Sequence, residues 1–221
     1  IYLDLLKSFV SSALNIPDEE ITGLKIINSE MVPEESDGKF SRLDLNLSYR
    51  NTLVDIEIQL RHTPDYRDRV LFYWAKLHTS ELKSGETYDN LKKTISINII
   101  DFNMFKDRED YHTEIGATIL DTGEIFSDKF SIHFFELRKL SNTVDRKNMQ
   151  QLWLQYLNAR EEVDFTMLKD TGVAVMEKAV DVLRLMSNDP AMQERYRREE
   201  KRLHDEASFL KGAREEGFER S

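Results

Sequence analysis

The stretch SRLDLNLSYRNTLVDIEIQL, residues 41–60, carries the clearest pattern in the chain. Leu43, Leu45 and Leu47 alternate with Asp44, Asn46 and Ser48. Beyond Arg50 and Asn51, Ile56, Ile58 and Leu60 alternate with Asp55, Glu57 and Gln59. A period of two puts aliphatic side chains on one face of a strand and the polar ones on the other. Two such runs joined by a short polar turn predict a β-hairpin. In the simple register Asp44 and Glu57 are cross-strand neighbours, and Gln59, two residues on, shares their face.

On the N-terminal side, Leu3, Leu6, Phe9, Val10 and Ala13 recur at helical spacing, predicting a helix over 2–14 that Asn15 and Pro17 end. Residues 22–29 read as a short strand and 33–39 as a polar loop. On the other side, Pro64 suits the first turn of a helix running to about Lys83, with Val70, Tyr73, Trp74 and Leu77 along one side. Residues 94–100, 112–120 and 130–137 read as three further strands. From Lys147 the pattern is helical, over 147–160, 166–187 and 190–216, the last with balanced charge. Strands packed by helices and then helices alone predict an α/β core over residues 1–140, followed by a helical C-terminal region over 141–221 that ends in a charged helix.

Two carboxylates held side by side on neighbouring strands repel each other unless a cation lies between them. Mg²⁺ suits such a place, because it takes one or two carboxylates, keeps several waters and leaves positions for phosphate oxygens. Asp44 and Glu57 are the candidate metal ligands, with the backbone carbonyl of Ile58 as a further oxygen. Spacing alone leaves the plain alternative open, a structural hairpin with a solvated polar face. Asp and Glu are poor strand formers, however, so Asp44, Asp55 and Glu57 call for a reason to be where they are.

Charge supports the chemical reading in part. The net charge of −10 argues against a protein that coats nucleic acid through a basic surface. Yet residues 1–60 hold five Lys/Arg against eleven Asp/Glu, a net of −6, whereas 61–83 hold five against three, a net of +2. An acidic hairpin followed by a basic helix fits a site that holds cations and faces phosphates. Arg61, Arg67 and Arg69 are the candidate phosphate contacts; ordinary pairing with Asp65 and Asp68 is their bland alternative. Tyr66, Tyr73 and Trp74 have the spacing of core packing, with base stacking as the rival role.

Several chemistries are excluded. With no cysteine, disulfides, thiolate metal sites and cysteine nucleophiles are absent. The five histidines have no zinc-type spacing, and His133 reads as a packing residue in a strand. Neither a Gly-rich phosphate loop nor a nucleophile elbow occurs. A hydrophobic content of 40% suits a globular protein, no stretch predicts a membrane span, and a cytoplasmic location is expected. Ile1-Tyr2-Leu3 lacks the basic start of a signal peptide and reads as the middle of a helix, so a preceding segment is expected.

Taken in order, SRLDLNL (41–47), DIEIQL (55–60), the helix with Arg67, Arg69, Tyr73 and Trp74, KKTISINIIDF (92–102) and KGAREEGFER (211–220) resemble the PD-(D/E)XK nuclease family transposases of bacteria, also called Rpn-type recombination-promoting nucleases. The resemblance implies a restriction-endonuclease-like core with a mixed central sheet flanked by helices. It also implies an Mg²⁺-dependent endonuclease acting on DNA, with Mn²⁺ as substitute and a role in DNA recombination. Asp44 then stands as the first acid, Glu57 as the second, and Gln59 where the wider superfamily has Lys. Leu43 replaces the proline of the motif's name. Gln59 brings no positive charge and can orient a water or a phosphate only through hydrogen bonds. A module that binds DNA or protein but cleaves weakly or not at all is the rival reading. The C-terminal helices are candidates for homo-oligomer contacts.

Overall fold

The computed structural model describes residues 2–28, 42–80, 82, 84–141, 143, 145–191, 193–194 and 197–198, with the backbone alone at 28 and 42–44. Its centre is a six-stranded sheet in the order β1-β2-β3-β4-β6-β5. The strands are β1 (Lys25–Asn28), β2 (Arg42–Tyr49), β3 (Thr52–Gln59), β4 (Lys93–Ile100), β5 (His112–Thr118) and β6 (Ile125–Glu136). β3 and β6 each run parallel to β4, while the β1–β2, β2–β3 and β5–β6 pairs are antiparallel. This is the mixed sheet that the family resemblance implies, with the tight turn making β2–β3 antiparallel and the helical crossover making β3–β4 parallel.

The predicted hairpin forms in the expected register. Tyr49 pairs with Thr52 across the two-residue turn, where Arg50 adopts φ 47°, and Asp44 pairs with Glu57. Helix α1 (Leu3–Leu14) ends at Asn15, whose φ of 52° places it in the left-handed region that Asn tolerates as a helix stop. Helix α2 (Tyr66–Ser80) links β3 to β4 and begins two residues after Pro64.

Helices take both faces of the sheet. On one face, α1, α3 (Met149–Asn158), α4 (Glu162–Lys169) and α5 (Ala174–Ser187) enclose a continuous apolar core with Leu47, Val54, Ile56, Ile95, Ile97, Ile99 and Phe135. Leu152, Leu168, Met176 and Val180 supply the helical half. On the other face lies α2, packed through Tyr66 and Val70 on Ile100, Phe102, Ile132 and Phe134.

Two expectations need correction. The continuous helix predicted over 166–187 is broken: α4 starts earlier, at Glu162, and a turn at Thr171 and Gly172 separates it from α5. Gly172 takes φ +72°, a conformation that closes a helix end without a Cβ clash, and the apolar periodicity on either side concealed it. The start of α4 is held by Asp164 Oδ2, which accepts from the backbone N–H groups of Arg160 at 2.9 Å and Glu161 at 3.1 Å. β6 also begins at Ile125 rather than at 130, because Ile125 and Ser127 pair with Thr118 and Ala117 of β5 while Ile125 and Phe126 stay exposed, so hydropathy carries no burial signal there. Most of the helix predicted over 190–216 lies outside the described residues. No described helix is long and apolar enough to cross a membrane.

Candidate functional site

The alternation along β3 separates two kinds of interior. Val54, Ile56 and Ile58 join the apolar core, while Asp55, Glu57 and Gln59 are buried as well, at 4%, 1% and 4% exposure. β4 repeats the division, since Ile95, Ile97 and Ile99 face the core and Thr94, Ser96 and Asn98 are buried beside the β3 polar row. A buried polar stripe therefore runs across neighbouring strands. Burying such groups is costly unless each is hydrogen-bonded.

The stripe is knitted together. Ser96 Oγ donates to Asp55 Oδ2 at 3.2 Å, and Asn98 Nδ2 donates to Ser96 Oγ at 3.0 Å and to the His133 carbonyl at 3.2 Å. From α2, the Tyr66 hydroxyl donates to Asn98 Oδ1 at 3.3 Å and Trp74 Nε1 to the Thr94 carbonyl at 3.0 Å. These bonds set α2 over β3 and β4, and Tyr66 and Trp74 are thus packing residues, as their spacing favours.

Helical spacing then determines what Arg69 meets. Three residues after Tyr66 it lies on the same side of α2, with its guanidinium 5.1 Å from the Tyr66 ring centre. One terminal nitrogen of Arg69 donates to Glu57 Oε1 at 3.0 Å and to Gln59 Oε1 at 2.7 Å. Gln59 Nε2 donates in turn to the Arg61 carbonyl at 2.6 Å, so both ends of the amide are matched to a partner of the right kind. Arg69 Nε is buried with no partner among the described residues.

Sequence reasoning brought Asp44, Glu57 and Gln59 together, and the backbone register pairs the first two while the third follows on β3. The three arginines, by contrast, separate. Arg61 and Arg67 are exposed, the latter 5.7 Å from the Phe105 ring centre, whereas Arg69 turns inward to the carboxylate and the amide.

Sequence reasoning missed the rest of the stripe. Ser96 and Asn98 alternate with isoleucines in TISINII, a signal as regular as that of β3, but short polar side chains inside an apolar strand do not declare their partners. Glu136 was missed too. It is 1% exposed at the end of β6; Oε1 accepts the Met104 and Phe105 N–H groups at 2.6 and 3.2 Å, and Oε2 accepts from Lys139 Nζ at 2.6 Å. This ties down the loop after β4, whose Asp101 N–H donates to the Gln59 carbonyl at 3.1 Å.

The donor set suits a hard divalent cation. Glu57 offers a buried carboxylate opposite Asp44 in register, and Mg²⁺ needs only one or two carboxylates with waters completing its shell. Among the described residues no cluster of three or more His, Asp or Glu side chains converges.

The family model described as PD-(D/E)XK nuclease family transposase matches residues 3–213. The chain belongs to this family. The observed mixed sheet with flanking helices is consistent with the PD-(D/E)XK fold, and the family is one of nuclease and transposase-like proteins. No curated protein and no solved structure shows significant similarity to the chain.

Proposed function

We propose that this PD-(D/E)XK protein is a divalent-metal-dependent endonuclease that hydrolyses phosphodiester bonds in DNA. The observation that carries the reading is Glu57, a carboxylate with 1% exposure, in register with Asp44 and followed on its own strand face by Gln59. A carboxylate buried to this degree is expensive unless a cation compensates it, and in this reading Arg69 and a divalent metal are the cations that Glu57 faces.

In this reading Asp44 and Glu57 hold the metal, Mg²⁺ by preference with Mn²⁺ as substitute, and the Ile58 carbonyl is available beside them. When bound, the metal supplies Lewis-acid polarisation of the phosphate and lowers the pKa of water. Gln59 orients. One of its amide hydrogens is committed to the Arg61 carbonyl, which leaves the second to align a water or a phosphate oxygen. In this reading Arg61, exposed after β3, and Arg67, exposed on the first turn of α2, contact the DNA backbone.

Supercoiled plasmid incubated with Mg²⁺ or Mn²⁺ is expected to be nicked by the unaltered protein, and not by Asp44→Ala or Glu57→Ala. Cleavage that survives both substitutions overturns the assignment. One observation favours a second reading, a module that binds DNA or protein without cleaving: the Arg69 guanidinium already compensates Glu57. DNA binding in EDTA, with no cleavage in any divalent metal, would decide for that module.

A further inference from the structure

We infer that Arg69 is a positioning residue for the proposed nuclease, supplying from helix α2 the fixed positive charge that Gln59 does not carry. The inference rests on the nuclease reading but adds a residue and a role to it. Three observations support it.

First, a single guanidinium nitrogen contacts both β3 side chains, at 3.0 Å from Glu57 Oε1 and 2.7 Å from Gln59 Oε1. The cation is therefore shared between the carboxylate and the amide that would work beside it. Second, the arrangement is built rather than incidental. The Arg69 side chain is 16% exposed, and its helix is fixed by the Tyr66–Asn98 and Trp74–Thr94 bonds. Charged hydrogen bonds of this kind are roughly twice as strong as neutral ones. Third, Arg69 Nε is a buried donor with no acceptor among the described residues. A donor left over beside a proposed phosphate site matches an anionic ligand oxygen.

The consequence for Gln59 is specific. An amide can present either its oxygen or its nitrogen to an incoming group, and the two are nearly alike in shape. Because Arg69 occupies Oε1, Gln59 must present N–H, the end that can donate to a phosphate oxygen or hold a water through its lone pair. Arg69 thus fixes the polarity of Gln59 and keeps a positive charge beside the reacting phosphate. A metal and Arg69 then share Glu57, and two cations on one carboxylate oppose each other.

The test uses the full chain with Arg69→Met, Arg69→Lys, Gln59→Lys and the double variant Gln59→Lys/Arg69→Met, with far-ultraviolet circular dichroism as the folding check. Two quantities are read, plasmid nicking and Mn²⁺ binding by calorimetry. Arg69→Met is expected to bind Mn²⁺ several-fold more tightly while nicking about 100-fold more slowly, the loss typical of removing one preorganised electrostatic donor. A merely structural arginine would weaken both. Arg69→Lys retains more turnover than Arg69→Met. Gln59→Lys is expected to slow the unaltered enzyme by crowding two cations, yet to raise the nicking rate in the Arg69→Met background.

Tighter Mn²⁺ binding together with this reversal of sign supports the inference. Mn²⁺ binding in Arg69→Met that is no tighter than in the unaltered chain overturns it, as does nicking at the original rate or a double variant no faster than Arg69→Met. If the unaltered chain neither binds Mn²⁺ nor nicks, the nuclease reading has failed. Arg69 is then judged on calorimetry alone: Mn²⁺ binding gained in Arg69→Met supports its competition with metal, and binding still absent overturns it.

Discussion

The two faces of β3 make a controlled comparison within one strand. Val54, Ile56 and Ile58 look into an apolar core closed by α1, α3, α4 and α5, while Asp55, Glu57 and Gln59 look toward α2 and are buried almost as deeply. Backbone, twist and hydrogen-bonded neighbours are common to both faces. What differs is the chemistry of the covering helices. The first face is satisfied by dispersion and exclusion of water, and tolerates any well-shaped apolar substitute. The second is held by directed partners, Ser96, Arg69 and the network reaching Tyr66, which constrain the chemistry of each substitute. Burial therefore has two meanings along β3: on one side it packs the apolar core, and on the other it holds charge and amide dipoles away from solvent.

Substitutions that separate activity from stability probe that contrast most sharply. Glu57→Ala is expected to lower plasmid nicking by at least about 1000-fold, equivalent to about 4 kcal/mol of barrier, and the rate per folded molecule in Mn²⁺ is the measurement. A residual rate within tenfold of the original would show that the polar face does not do chemistry. Ile56→Ala, its neighbour on the apolar face and 3% exposed, should cost about 3 kcal/mol of stability by urea denaturation and leave the nicking rate of the folded fraction intact. Loss of rate without loss of stability would erase the distinction between the faces.

The apolar side of the sheet has a polar exception on β6, and it provides a pH test. His133 lies on that side of the sheet, bonded through Nδ1 to His112 Nε2 at 3.0 Å and through Nε2 to Ser131 Oγ at 2.9 Å. Burial lowers its pKa to about 4, with His112 and Lys93 acting in the same direction and Glu114 opposing them. The folded form thus binds a proton less readily than the unfolded chain, whose histidines titrate near 6.5. Stability is complete above that value and declines as pH falls toward 4, by about 2 kcal/mol between pH 7 and pH 5 for one such group. Thermal melts at these two pH values should show the loss, and His133→Phe should reduce it; an unchanged pH dependence would show that this pair does not govern the decline.

The smallest effect concerns the seam between the faces. Tyr66→Phe removes the hydroxyl that donates to Asn98 and should cost about 1 kcal/mol, with a modest fall in nicking because α2 carries Arg69. A stability loss with no change in rate would show that Arg69 is held by β3 itself rather than by the seating of its helix.

Alternation along β2 and β3 is a local property, enforced by the pleat, so the hairpin, its register and the grouping of Asp44 with Glu57 and Gln59 were open to anyone reading residues 41–60. Helix α1 and its stop at Asn15 were equally legible, because apolar spacing and a left-handed cap are written within a few residues. The break at Gly172 was harder, since one glycine between two amphipathic runs changes the periodicity little. Nothing local could tell that the polar face of the hairpin would be covered rather than wet. That outcome depends on α2 crossing β3 and β4, which joins residues far apart in the chain, such as Tyr66 to Asn98 and Arg69 to Glu57. Three arginines close together in sequence looked alike as phosphate contacts. The pitch of a helix anchored on a sheet exposes Arg67 and turns Arg69 inward against a carboxylate, because side-chain direction on α2 is set by the packing of its other residues, while Arg61 lies exposed in the connection before the helix.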